Sequence, residues 1–300
     1  MELFSRTVIA VSMAIFASGV FAQPDAASDV DELKIAALEA LMSAPAEQAL
    51  PRVAKVLTGN NSDDVKERAL FVLSQIDLPE AQTLLLETAR QNAGELRLEA
   101  IRMIGVGGEP SALAGLGDLY RAGDSEVRDA VLEAYLIADD SNAVYEIAVN
   151  ADNAEDFEAA VELLGAMDAR DELRRLRDRA GMSDSLIDAY AISGDFESLR
   201  ELSLDGSNPD VQLRAIEALG LIGGDEVNAV LVQTYRGSDS PDVKAAALDG
   251  LLISGDDDGI LELYRSSQDP VEKRELLEHL VTMGGDSVWD AIDSALDAQR

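Results

Sequence analysis

Few residues in this 300-residue chain can do covalent chemistry. There is one histidine, His279, and no cysteine. A nucleophilic triad needs a base beside its hydroxyl, and His279 is the only imidazole on offer. Without cysteine there is no thiol nucleophile, no disulfide, no Cys-zinc site and no lipidated cysteine. A metal site needs several donors, so His279 is read as a solvent-facing residue. There is no phosphate loop of the G-x-x-x-x-G-K type and no dinucleotide fingerprint. Asp256-Asp257-Asp258-Gly259 invites a calcium loop, but the residue at its twelfth position is Arg265 rather than Glu. These acids, like Asp139-Asp140, read better as helix caps. No cofactor and no metal are expected.

Two patterns could instead make contacts. Arg170, Arg174, Arg175, Arg177 and Arg179 crowd into ten residues of an otherwise acidic chain. One reading is a solvated helix with Asp171–Arg175 and Arg174–Asp178 pairs at i,i+4. The other is a basic docking spot for an anionic partner. A Tyr-Arg pair also recurs, at Tyr120-Arg121, Tyr235-Arg236 and Tyr264-Arg265. Arginine at a helix C-terminus explains it simply, while a stacked row of Tyr and Arg along one edge would be an interface. The five arginines with Tyr120, Tyr235 and Tyr264 are the partner-binding candidates.

Bulk composition narrows the partner. Lys and Arg number 24 against 58 Asp and Glu, a formal net charge of −34, which opposes binding to nucleic-acid phosphates. Apolar residues make up 47%, too many for a disordered chain.

The elements that position these residues are repeated. A bulky apolar residue, then Gly or Ser, then Gly, then an acid recurs at Val106-Gly107-Gly108-Glu109, Ile192-Ser193-Gly194-Asp195, Ile222-Gly223-Gly224-Asp225, Ile253-Ser254-Gly255-Asp256 and Met283-Gly284-Gly285-Asp286. Degenerate copies begin at Ile76, Ile137 and Met167, and a weaker first copy at Met42. Intervals between the apolar anchors, from Ile76 onward, are 30, 31, 30, 25, 30, 31 and 30. Before each anchor runs an amphipathic helical stripe, such as Val211, Ala215, Leu219 and Ile222. Glycines after the anchor reverse the chain, and acids such as Asp225 and Asp286 are expected to cap a second helix. The unit is therefore helix, tight turn, antiparallel helix. Such a pair cannot bury its apolar face alone, so about nine pairs must stack into an all-α solenoid. The single short interval predicts a clipped first helix over Met182–Ile192 and a local change in the superhelix.

Ser207-Asn208-Pro209-Asp210-Val211 through Gly223-Gly224 resembles a HEAT repeat, more narrowly the HEAT-like units of phycobilin lyase subunits. Ser240-Pro241-Asp242-Val243 and Asp124-Ser125-Glu126-Val127 repeat the match. The resemblance implies a solenoid from about Asp31 onward and a surface that holds partners. Some HEAT-like proteins are di-iron hydroxylases built on several His-Glu pairs, whereas this chain has Glu278-His279 once, in reverse order.

The N-terminus carries its own signal. Arg6 precedes the uncharged apolar run Thr7–Phe21, and Val20-Phe21-Ala22 suits a cleavage site. The run has 15 residues, where a bilayer span needs about 20. Residues 1–22 are thus expected to be a signal peptide cleaved after Ala22, residues 23–30 a disordered tail, and residues 31–300 the solenoid. The sequence reads as a periplasmic or secreted, non-catalytic scaffold whose partner is another envelope or secreted protein. The alternative is an enzyme or lyase-type accessory subunit acting on a bound small molecule.

Overall fold

The computed structural model describes residues 26–284 and 287–297. These form nineteen helices and no strand, arranged as nine antiparallel pairs. First and second helices alternate: α1 (Ala26–Leu41) with α2 (Ala46–Thr58), α3 (Asp63–Ser74) with α4 (Pro79–Gln91), and α5 (Glu95–Gly107) with a second helix split at Gly115 into α6 (Pro110–Ala114) and α7 (Leu116–Ala122). Then come α8 (Ser125–Ile137) with α9 (Ser141–Val149), α10 (Ala154–Ala166) with α11 (Arg170–Ala180), and α12 (Asp184–Ile192) with α13 (Phe196–Leu204). The last pairs are α14 (Pro209–Ile222) with α15 (Asp225–Gly237), α16 (Pro241–Ser254) with α17 (Asp257–Ser266), and α18 (Pro270–Met283) with α19 (Ser287–Asp297).

The expected signal peptide, residues 1–22, lies outside the described residues, as do residues 23–25 of the expected tail. From Ala26 the chain is helical, so α1 takes in residues 26–30, which the sequence reading had placed in that tail. Asp29 sits in its first turn, where a carboxylate favours the helix dipole, and Leu38 is buried lower down.

One core runs the length of the stack, from Leu38 and Val53 to Leu280 and Ala291. Units pack on their neighbours mainly through first helices and through second helices against the next first helix, as at α4–α5, α13–α14 and α15–α16. The seam three residues before each anchor is buried at Leu73, Ala134, Leu164, Ala189, Leu219, Gly250 and Leu280, and half-buried at Met103. Consecutive first helices approach closest where small residues meet. A Cβ added to Gly220 would lie 2.6 Å from the Gly250 Cα, and one on Gly105 2.7 Å from the Ala134 Cα. Packing between first helices is weakest at α8–α10 and α16–α18.

The clipped unit is present: α12 and α13 have nine residues each. Where the turn signature degenerates, Asp139 and Asp168 adopt left-handed backbone with φ of 54° and 55°, the role taken elsewhere by Gly108, Gly194 or Gly255. Aspartate tolerates that region better than most residues.

Candidate functional site

The turn joining first to second helix has the same build in the four units whose second helix opens at Glu109, Asp140, Asp195 or Asp256. The first helix ends on the apolar anchor, the chain reverses through a left-handed residue, and an acid opens the second helix. Asp140 accepts from the Ala143 N–H at 3.0 Å and Glu109 from the Ser111 N–H at 2.8 Å. Asp225 departs from this pattern. It was expected to cap α15, but Gly224 holds the cap position and Asp225 lies in the first turn, where it acts through the helix dipole.

The anchors themselves are a correction to the sequence reading. Ile222 was placed in the buried stripe with Leu219, yet Leu219 is fully buried and Ile222 is 39% exposed. Three residues is about 300° around an α-helix, so the anchor sits about 60° off the buried face. It also lies where the chain leaves the layer. Val106, Ile137, Ile192 and Ile253 are exposed in the same way, with Ile253 at 63%. Leu136, Leu221 (72%) and Val281 join them from neighbouring positions. Met167 and Met283 are half-buried, and Ile76 is buried.

These turns adjoin one another. A Cβ on Gly223 would lie 3.7 Å from the Ser254 Cβ of the next turn. Arg170 Nε donates to the Ser193 carbonyl at 2.9 Å, tying the turns before α11 and α13. Shallow clefts join the turns around Gly108 and Asp139, and those around Asp139 and Asp168. Exposed apolar side chains thus recur at successive turns, with acids next to them in the chain at Glu109, Asp139, Asp140, Asp225 and Asp256.

The structure splits the arginine cluster among several duties. Arg174 reaches the next unit and grips Asp195, Nε to Oδ2 at 2.9 Å and Nη2 to Oδ1 at 2.6 Å. Asp195 is 1% exposed and also accepts from the Ser198 N–H and hydroxyl. Burial alone would raise its pKa, but the hydrogen bonds from Arg174 and Ser198 win and hold it below the usual carboxylate value. Arg175 lies over the Tyr145 ring at 4.1 Å, on the preceding second helix. Arg177 pairs with Asp178 and with Glu201 of α13. Arg179 is exposed at the end of α11. The contact of Arg174 within α11 is with Asp171, at i,i+3, in place of the expected Asp178.

Tyr120, Tyr235 and Tyr264 are all buried, with only 4–6% of each exposed. Arg121 pairs with Asp118 and Arg236 with Glu262. Each ring instead meets a cation of the next first helix: Arg128 over Tyr120 at 5.7 Å, Lys244 over Tyr235 at 4.8 Å and Lys273 over Tyr264 at 5.2 Å. Two of the hydroxyls then reach an acid one unit further on. Tyr120 donates to Asp156 at 3.1 Å and Tyr235 to Glu272 at 2.9 Å. The same acids pair with Arg128 and Lys244. These two Tyr–cation–carboxylate triads bridge α8 to α10 and α16 to α18, the two joints where the first helices pack least. Glu272 is held down to about 2 by Lys244, with help from Ser267 and Tyr235 against burial. Burial and Asp156 together raise the pKa of the Tyr120 phenol.

A cleft accompanies each triad. One of about 400 Å³ opens beside the α6–α7 break and includes Tyr120, Arg121, Arg128, Tyr135 and Asp156. Small residues such as Ala114, Gly117 and Ala143 also line it. The other, of about 600 Å³, contains Tyr235, Lys244, Glu272 and His279. His279, expected to face solvent, is half-buried in this wall. No group of three or more His, Cys, Asp or Glu among the described residues is placed to hold a metal ion. No helix among them is long and apolar enough to cross a membrane.

Residues 196–281 match the family described as HEAT repeats. Solved structures similar to the chain include human deoxyhypusine hydroxylase in complex with glycerol, at 18% identity over 87% of this chain and 94% of that one, with a TM-score of 0.36. The complex of CpcE and CpcF of phycocyanin lyase from Nostoc sp. PCC7120 is similar at 18% identity over 91% and 99%, with a TM-score of 0.34. An engineered protein is similar at 21% identity over 77% and 96%, with a TM-score of 0.24. A search of curated proteins finds no match.

Proposed function

We propose that this chain, a HEAT-repeat protein, is an exported, non-catalytic scaffold that holds another envelope or secreted protein along its solenoid. The observation that carries this reading is the recurrence of exposed anchors at the turns. Ile192, Leu221 and Ile253 stand in water at these turns on an acidic chain. Clustered exposed apolar side chains rimmed by polar ones mark interaction sites. Export rests on the apolar run Thr7–Phe21 and the Val20-Phe21-Ala22 site. The test is crosslinking in cells followed by mass spectrometry of the tagged chain. One dominant protein partner, attached to the solenoid, is the expected result. Amino-terminal sequencing of the same preparation should start at Gln23, and a start at Met1 would contradict export.

The cleft beside α7 favours a second reading, an accessory subunit acting on a bound small molecule. It is partly enclosed, and two phenols, two guanidinium groups and carboxylates line it beside small residues. A stoichiometric small molecule or metal in the purified protein would support this reading over the scaffold.

A further inference from the structure

We infer that the cleft between α7 and α9 binds a small zwitterion with an apolar body, such as a free dipeptide of apolar residues. This inference deepens the second reading, the accessory subunit with a bound small molecule, and names the chemistry of that molecule.

The cleft opens where two neighbouring second helices stand apart. α9 packs on α11 and α15 on α17, but α7 and α9 scarcely touch. Gly117 on α7 lines the gap. An added Cβ there would meet Arg121 Nη1 at 3.7 Å and Tyr135 Oη at 3.9 Å, ordinary contacts with two groups that also line it. Tyr135 is held by donating to the Leu113 carbonyl at 3.2 Å, just before the break between α6 and α7. The volume of about 400 Å³ falls within the range of small-molecule sites, about 300–1,000 Å³. Ala114, Ala143, Ile147 and Ala151 supply apolar lining.

The two sides of the gap carry opposite charge. On the α7 side, Arg121 pairs through Nη2 with Asp118, which also pairs with Arg90, so two guanidinium groups share one carboxylate. On the α9 side stand Glu146 and, just after the helix, Asp152. Glu146 accepts from Asn150 at 3.3 Å, and neither acid has an ion pair among the described residues. Between the sides, Arg128 and Asp156 pair with each other and cancel. The two phenols stay neutral, because burial first, then Asp156 for Tyr120 and Asp140 for Tyr135, raises their pKa. A carboxylate against Arg121 and an ammonium against Glu146 and Asp152 complete both sides. A plain anion would meet the excess of acid, and a plain cation would meet the guanidinium groups. One molecule carrying both charges satisfies the whole cleft.

The test is isothermal titration calorimetry of the purified full chain with leucyl-leucine, its N-acetyl form and its C-terminal amide. The free dipeptide should bind at least about tenfold more tightly than either blocked form, with the N-acetyl form weakest because acid is in excess. Glu146→Gln combined with Asp152→Asn should cut the advantage over the N-acetyl form to below about threefold, and Arg121→Gln should do the same to the advantage over the amide. All three side chains are exposed, so circular dichroism and melting should stay those of the parent. Gly117→Leu should abolish binding while its helix gains propensity. If that variant fails to fold, the charge variants decide. Equal affinity of the three forms, no binding of any, unchanged ratios in the charge variants, or binding that persists in folded Gly117→Leu would overturn the inference. A molecule without both charges, found by mass spectrometry in the purified parent and missing from Gly117→Leu, would overturn it and leave the accessory-subunit reading standing. No small molecule bound by either route would remove both.

Discussion

Arg174 and Asp195 are 21 residues apart and belong to different repeat units, yet they form a two-point pair with distances of 2.9 and 2.6 Å around a carboxylate that is 1% exposed. The pair closes the joint beside the one short interval in the array. α12 has nine residues, and the turn after it meets Arg174, which lies near the middle of α11. An arginine cluster that looks like a docking spot in one dimension is, at Arg174 and Arg170, internal fastening.

Removing the guanidinium should therefore cost more than a surface ion pair. Arg174→Ala leaves a buried carboxylate without its main partner, and a loss of about 2–3 kcal/mol in urea-unfolding free energy is expected. Asp195→Asn with Arg174 retained should cost less, since Arg174 is 41% exposed and regains water. A double-mutant cycle with coupling below about 0.5 kcal/mol would refute this role.

The close crossing of first helices gives a second expectation. Gly220→Ala puts a methyl 2.6 Å from the Gly250 Cα, backbone against backbone, so α14 and α16 must separate. A cost of about 1–3 kcal/mol should follow. Gly237→Ala, where an added Cβ meets nothing within 4 Å, should change stability by less than about 1 kcal/mol. Thermal melts of the two variants side by side check the contrast.

Acid should loosen the α16–α18 joint first. Glu272 has its pKa lowered to about 2 from 4.5 in the folded chain, chiefly by Lys244. A depressed carboxylate stabilises the fold above its unfolded value and loses that contribution as pH falls from 4.5 towards 2. Urea midpoints measured from about pH 6 down to about pH 2.5 should fall more steeply for the parent than for Glu272→Gln. Identical acid limbs would show that the triad contributes nothing.

The fold was legible because each unit repeats its own physics. The anchor intervals, the glycine turns and the seam at Leu73, Leu164, Leu219 and Leu280 all state one helix pair in one dimension. The clipped α12 was legible for the same reason. What periodicity could not show is which side of a helix end faces the neighbour. Ile222 and Leu219 share a stripe on paper, and only the geometry of the last turn separates the buried one from the exposed one. Partners across units were likewise hidden. Nothing in the spacing of Tyr235, Lys244 and Glu272 announces a triad until three units are stacked. Repeated glycine or alanine near the anchor, at Gly105, Gly165, Gly220 and Gly250, was a visible signal of close helix crossing that turn chemistry overshadowed.

The central claim is that the turn edge, and neither the arginine helix nor the clefts, carries the partner. It is tested most directly by placing a photo-crosslinking residue, one variant at a time, at Ile222, Ile253, Arg179 and Tyr135 and irradiating living cells. Adducts to one protein at Ile222 and Ile253, with little at Arg179 or Tyr135, are the predicted result. The same adduct appearing at Arg179 or Tyr135 while Ile222 and Ile253 stay unmodified would contradict it.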